Sequence, residues 1–319
     1  MSADNSEAET GPETGFDQVL RFTIPDRDAR GRVLRIGPVL NTILAAHAYP
    51  GAVKRLLAEA LVITALVGSL LKDDEGQLTM QAQTEGGVIE LLVCDYRAGE
   101  LRGHVRFDHS KLDYLGPNPT LVALFADGFL AITFDLVTTG QRYQGIVPLE
   151  GDSLAQACAH YFFQSEQVPT MIRVAVGSEG DGGAGGGRVD GGRVGGGWVA
   201  GGLLVQHLPD GEEGRERLHA QLDHPEWEHV AALAGSTQHA ELLDAGLGLE
   251  SLVWRLFHEE REVRIEHGAR LTRGCRCTVE HYRDILARFP ADDRVAMRDD
   301  DGLIRVDCAF CSKVFDIDL

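Results

Sequence analysis

Four of the six cysteines in this 319-residue chain lie in its last 45 residues, paired as Cys275-Arg276-Cys277 and Cys308-Ala309-Phe310-Cys311 with 30 residues between the pairs. No other feature limits the possible folds as strongly. Two closely spaced thiol pairs joined by a loop can aim four sulfurs at one tetrahedral zinc ion. The same pairs can close into two short disulfides if the metal is lost. The C-terminal region therefore carries either a structural staple or a switch.

Residues 269–319 contain too little apolar material to bury a core, and a unit of about 50 residues needs an added staple. Thiolate coordination of zinc contributes roughly 10–16 kcal/mol in model fingers, enough to decide folded against unfolded. Cys275, Cys277, Cys308 and Cys311 are the expected ligands of one Zn²⁺. His281 is a weaker candidate, because four sulfurs already complete the shell. Arg270, Arg273, Arg276, Arg305 and Lys313 flank the two pairs in an otherwise acidic chain. They are expected to stabilise the thiolates, with solvated surface charge as the plain alternative. A Cys-x-Cys bridge closes a tight ring, and strained bridges are the labile kind. The spacing thus leans toward a reversible switch and leaves a purely structural zinc site open. Cys94, at the end of the apolar run Leu91–Cys94, and Cys158, among alanines, read as inert core thiols.

Charge sets the next limit. With 30 Lys+Arg against 49 Asp+Glu the net charge is −19, which disfavours nucleic acid or an anionic membrane as partner. The most apolar stretch, Val53–Leu71, carries Lys54, Arg55 and Glu59 and is too short to span a bilayer, so it reads as a buried helix. Residues 1–18 are acidic and polar with no apolar core, and are expected to be a disordered tail and not a secretory signal. The thiols are then expected to sit in a reducing cytoplasm, where paired cysteines more often bind metal or sense oxidants.

Residues 19–208 are expected to form an α+β domain, a mainly antiparallel sheet with packed helices. Strands are predicted at Gln77–Thr84, Val88–Tyr96, Leu101–Phe107, Thr170–Val176 and Trp198–His207, with a hairpin from Phe129–Thr138 and Tyr143–Leu149. Helices are predicted over Val39–His47, Ala52–Leu71 and Asp152–Gln164, the last capped by Asp152 or Ser153. Gly177–Gly202, with 14 glycines in 26 residues, reads as an expanded hairpin loop, since no Gly-Lys-Ser/Thr follows it. Residues 209–268 read as a charged helical linker in which only Leu249, Leu252, Val253, Leu256 and Phe257 make a clean helical stripe. Such a segment is marginally stable alone and needs a neighbouring surface. An ordinary interdomain linker is the plain alternative. A small zinc-binding domain, 269–319, follows.

Several segments in register resemble one family. These are Tyr143-Gln144-Gly145-Ile146-Val147-Pro148-Leu149-Glu150-Gly151-Asp152, Tyr161-Phe162-Phe163-Gln164-Ser165-Glu166-Gln167-Val168-Pro169-Thr170, Val253-Trp254-Arg255-Leu256-Phe257-His258-Glu259-Glu260, and the C-x-C…C-x-x-C ending. From about residue 19 to the C-terminus the chain is similar to the redox-regulated holdase chaperones called heat-shock protein 33. The resemblance implies an ATP-independent chaperone that binds unfolding client proteins. It implies that the reduced protein holds one zinc and is poorly active. Oxidation would form Cys275–Cys277 and Cys308–Cys311 disulfides, release zinc, unfold the zinc domain, open the linker and favour a homodimer. Two departures are the Gly-rich expansion and an ending only eight residues after Cys311. The resemblance thus implies a binding protein and not an enzyme, and no Ser-His-Asp grouping, His-x-x-x-His or pair of catalytic carboxylates can be placed in the sequence. The competing functions are a thiol–disulfide oxidoreductase using Cys308 and Cys311, and a zinc-ribbon nucleic-acid binder that the charge disfavours.

Overall fold

Two antiparallel sheets close on one long helix. The protein is described by a computed structural model that covers residues 15–72, 75–178, 197–208 and 224–318. Strands β1 (Gln18–Ile24) and β2 (Ala29–Ile36) form a hairpin around a short turn at Pro25–Arg27, where Asp28 takes a left-handed conformation. Helices α1 (Pro38–Leu44) and α2 (Gly51–Gly68) follow. Next come β3 (Gln77–Gln83), β4 (Ile89–Arg97), β5 (Glu100–Phe107), the short α3 (His109–Leu112) and α4 (Leu121–Phe125), and the β6 (Phe129–Leu136)–β7 (Gln141–Pro148) hairpin. Helix α5 (Leu154–Tyr161) runs into a π-helical turn at Phe162–Glu166 before β8 (Thr170–Ser178) and β9 (Trp198–His207).

The predicted elements of this half form where expected, within a few residues. Ser153, not Asp152, caps α5 by accepting from the Gln156 N–H. The pattern pointed to no element in 18–36. There β1 and β2 bury both faces, so the period-2 alternation that announces a half-exposed strand is blurred. The glycine-rich loop is shorter than the expected 177–202, because its two ends continue the β8–β9 ladder as far as the Ser178–Trp198 pair; residues 179–196 lie outside the described set. Of the expected N-terminal tail, residues 1–14 also lie outside it, whereas Phe16 and Asp17 are buried. The Asp17 carboxylate accepts from the Gly37 and Val39 N–H groups at the start of α1, both at 3.0 Å, which ties the chain down before residue 18.

α2 lies between the sheets because it is apolar nearly all round: Val53, Leu57, Leu61, Ile63 and Leu66 are buried and it touches strands of both. Its last residue, Gly68, is needed there, since a Cβ would sit 2.4 Å from the Tyr96 ring. The main core fills this interior.

The charged segment finds its surface on the opposite face of one sheet. Helices α6 (Pro225–Gly235), α7 (His239–Leu243) and α8 (Leu249–Phe257) cover the outer face of the five-stranded sheet. They form a second core with Leu20, Phe22, Val33, Leu203 and Val205. Here the structure corrects the single-stripe expectation: α6 buries Trp227, Val230 and Ala234, and α7 buries Leu242 and Leu243. Polar clasps add to this. Arg27, on the β1–β2 turn, pairs with Glu226 and, at 2.8 Å, with Glu260, which also accepts from His229 at 2.7 Å.

β10 (Arg264–Arg270) then pairs with the edge of β1, giving the order β10-β1-β2-β9-β8. The boundary expected between residues 268 and 269 therefore falls inside a strand. Every side chain of β10 is exposed or half-exposed, so no hydrophobic period marks it. β11 (Thr272–Arg273) joins β5 in parallel, giving the second sheet the order β11-β5-β4-β3-β6-β7. The C-terminal unit adds α9 (Val279–Leu286), α10 (Ala291–Ala296) and the β12 (Ile304–Asp307)–β13 (Val314–Ile317) hairpin. No helix among the described residues is long and apolar enough to cross a membrane.

Candidate metal centre

The first thiol pair hangs from the edge of the six-stranded sheet. Beyond β11 the Gly274 N–H donates to the Leu101 carbonyl at 2.8 Å, and a Cβ on Gly274 would meet the Glu100 side chain at 2.4 Å. Glycine thus lets the chain approach β5 closely just before Cys275. Thr278 follows Cys277 and caps α9, its hydroxyl accepting from the His281 N–H at 3.1 Å. The second pair sits in the turn of the β12–β13 hairpin. Cys308 N–H donates to Lys313 O, and the Cys311 and Ser312 N–H groups return to Cys308 O at 3.2 and 2.8 Å. These bonds fold the Cys308–Cys311 backbone around its own sulfurs, with Ser312 in the left-handed region.

α9 presses the two knuckles together. Leu286, Ile304, Phe315 and Ile317 are buried beside Cys308, and the Tyr282 and Phe315 ring centroids lie 5.1 Å apart. All four sulfurs come within 4.8 Å of one another, with Cys275–Cys277 at 3.1 Å, Cys275–Cys308 at 3.5 Å and Cys277–Cys311 at 3.4 Å. Zinc–sulfur bonds of about 2.3 Å at a tetrahedral centre put neighbouring sulfurs roughly 3.8 Å apart. Three of the separations are a few tenths of an ångström shorter than that value and none exceeds 4.8 Å, so this donor set fits a zinc ion after a small outward movement of the sulfurs. Among the described residues these four are the one group so placed, and His281 does not join it.

Electrostatics distinguish the thiols. Burial raises Cys275, and burial with the neighbouring thiols raises Cys277. Burial also opposes ionisation of Cys308, but hydrogen bonds from the Tyr282 hydroxyl, the Phe310 and Cys311 N–H groups and Cys275 outweigh it and bring that thiol down to about 6. Cys308 therefore takes on the negative charge a metal requires more readily than Cys275 or Cys277. Cys94 in β4 and Cys158 in α5 are fully buried, and burial pushes both up, Cys158 to about 12. They are core thiols, as expected.

The flanking cations face other partners. Arg276 donates to Gln77 Oε1 at 2.6 Å and lies 3.7 Å from Glu100. Arg305 pairs with Asp299, Asp301 and Asp316. Lys313 lies over the Phe315 ring, 4.9 Å from its centroid. Arg270 and Arg273 belong to β10 and β11. Of these cations, Arg276, Arg305 and Lys313 thus meet an amide, carboxylates and an aromatic ring.

The sequence pattern also missed how the knuckle docks on the core. Phe310, between the second pair of cysteines, lies under the Arg102 guanidinium at 4.2 Å, with the His104 ring 6.4 Å away edge-on. Ser312 Oγ is 3.0 Å from His47 Nδ1, and His47 stacks on Tyr49 at 4.8 Å. Burial holds both imidazoles below the usual histidine range, against the hydrogen bond each makes to the Ala309 backbone. The partners are about 200 or more residues apart in sequence and belong to separate periodic patterns, so no local signal links them.

Comparison with known proteins agrees with this arrangement. A model of the Hsp33 protein family matches residues 17–318. The 33 kDa chaperonin of Caulobacter vibrioides is 37% identical over 96% of this chain and 97% of its own length. That of Azotobacter vinelandii is 36% identical over 95% and 92%. A crystal structure of a 33 kDa chaperonin (heat shock protein 33 homolog) from Thermotoga maritima covers 94% of each chain with a TM-score of 0.73 at 20% identity, a likeness of fold. A family match along nearly the whole chain, with four sulfurs gathered at its C-terminal end, places the protein: it belongs to the Hsp33 family of chaperones.

Proposed function

We propose that this chaperone is a redox-regulated, ATP-independent holdase of the cytoplasm, closed when reduced and opened by oxidation. The observation that carries the reading is how little besides sulfur holds the C-terminal unit. Among the described residues from Cys275 onward the buried apolar ones are Leu286, Ile304, Cys308, Phe315 and Ile317, and one of those is itself a thiol of the cluster. In the reduced state Cys275, Cys277, Cys308 and Cys311 would hold one zinc ion. The bound ion supplies the cross-link that lets so small a unit stay folded.

The chain's own residues carry the rest. Two equivalents of peroxide would oxidise the four cysteines to the Cys275–Cys277 and Cys308–Cys311 disulfides. Each pair gives up two electrons as its S–S bond forms, and each peroxide takes up those electrons with two protons, drawn from solvent where the sulfurs are thiolates, and becomes two waters. With the ligands gone the unit loses its cross-link. β11 and β10 then lose the neighbour that holds them at the two sheet edges, and α6–α8 lose their downstream anchor. Release of those helices uncovers Leu20, Phe22, Val33, Leu203 and Val205 for unfolding clients. Uncovered apolar faces also favour a homodimer of the oxidised form.

The test titrates peroxide at moderately raised temperature while following zinc release and suppression of aggregation of a heat-labile client. Activity is expected to rise with zinc loss. Equal suppression by reduced and oxidised protein overturns the proposal. The depressed Cys308 thiol favours a second reading, a thiol–disulfide oxidoreductase using Cys308 and Cys311. Against it, the pair sits in a hairpin turn and not at the start of a helix. Catalysed reduction of insulin separates the two.

A further inference from the structure

One strand position of the five-stranded sheet carries a buried charge held by backbone carbonyls, with the Asp244 carboxylate acting on it through space. Arg35, on β2, is fully buried on the outer, helix-covered side of the sheet. Its guanidinium donates Nε to Leu242 O at 2.8 Å, Nη2 to Glu241 O at 3.0 Å and Nη1 to Leu247 O at 3.1 Å. All three acceptors belong to the charged segment: two to the last turn of α7, the third to the loop before α8. The α7 C-terminus leaves its final carbonyls without intrahelical partners, and a cation suits that end of the dipole. Arginine's planar fork can serve several carbonyls at once, where a lysine would offer one compact point charge.

The position beside Arg35 is matched to it. Its cross-strand partner on β9 is Gly201, and a Cβ there would sit 2.3 Å from Leu242 O, which is backbone that cannot swing aside. Ala175, the partner of Gly201 on β8, is small as well. A row of Arg35, Gly201 and Ala175 therefore makes a seat. The small residues admit the end of α7 against the sheet, and Arg35 grips the carbonyls that arrive.

We propose that Arg35 and Gly201 form the seat that positions the α7–α8 loop and keeps the helical segment closed over the sheet in the reduced protein, independently of the cysteine unit. This rests on the reading that release of the segment exposes the client-binding face. The hydrophobic contacts of α6–α8 supply affinity without direction; the seat fixes which turn rests where. Removing it is expected to loosen the segment while the four cysteines remain reduced and metal-bound.

The test uses the full reduced chain, with zinc content measured, and follows amide hydrogen exchange in peptides covering residues 239–257. Arg35→Met keeps the unbranched stem as far as the Nε position and deletes the donors. Gly201→Ala leaves Arg35 in place and pushes on Leu242 O from below. Each is expected to speed exchange in 239–257 at least tenfold, with unchanged exchange in β3–β6 and unchanged zinc per chain. Arg35→Lys is expected to fall between wild type and Arg35→Met, which a merely apolar filling role would not produce. If Arg35→Met fails to fold, Gly201→Ala decides. An unchanged rate in Gly201→Ala, or acceleration spread over both sheets, overturns the seat. Faster local exchange with no gain in aggregation suppression by the reduced protein leaves the seat standing and overturns the reading that this face binds clients.

Discussion

The two ends of this chain are held together by different physics. Around α2, two sheets enclose a core of aliphatic and aromatic side chains, and apolar burial of that extent sustains a domain by itself. From Cys275 to Ile317 only five residues are buried, and four sulfurs stand among them. The first region loses stability gradually, one cavity at a time. Under the proposed function the second stands or falls with one metal cross-link. On that reading one chemical event opens part of the molecule while the rest keeps its shape.

The largest expected effect tests the asymmetry directly. Cys308→Ser, or chelation of metal from the reduced wild type, removes a contribution of the order of 10 kcal/mol. Residues 275–317 are expected to unfold while the two-sheet core remains, seen as protease cleavage confined to the C-terminal unit. Simultaneous melting of both regions breaks the comparison. Leu61→Ala, fully buried in α2, is expected to cost about 2–5 kcal/mol in denaturant unfolding of the core, and to leave zinc content unchanged.

A subtler effect comes from Glu59 on α2, whose carboxylate accepts from the Ala155 N–H at 3.3 Å at the start of α5. Burial pushes it up to about 7, against hydrogen bonds from the Ala155 and Leu154 backbone. A raised folded-state value means the folded protein keeps this proton where the unfolded chain has lost it. Stability therefore falls as pH rises from about 4.5 to about 7 and is level above. Glu59→Gln is expected to raise stability by about 1–3 kcal/mol at pH 8 and to change it little near pH 4.5, measured by urea unfolding at the two pH values. An equal effect at both overturns the assignment. Smallest of all, Arg106→Ala breaks the exposed pair with Glu90 and is expected to shift stability by under about 1 kcal/mol. A larger loss would show that surface charge holds the core as burial does.

Much was legible in the sequence wherever the signal is local. Helical periodicity marks α2, and alternation marks β3 to β7, because side-chain spacing along one element already records which face is buried. The close spacing of Cys275 with Cys277 and of Cys308 with Cys311 is likewise written in neighbouring positions, and the structure brings both pairs to one cluster. The family segments added a chaperone fold that periodicity alone could not supply.

What only the tertiary structure decided is long-range. It set which surface the charged segment covers, that residues 264–270 become an edge strand on β1, and that Arg276 meets Gln77 and Arg305 meets Asp299. It also placed Arg35 and Gly201 side by side beneath the end of α7. The physical reason is common to all of these. A chain segment carries its own period, but the partner that satisfies a guanidinium, a strand edge or an apolar face is chosen by competition among groups hundreds of residues apart. In this protein the sequence determined a sulfur cluster and a two-sheet core, and packing determined how the one restrains the other.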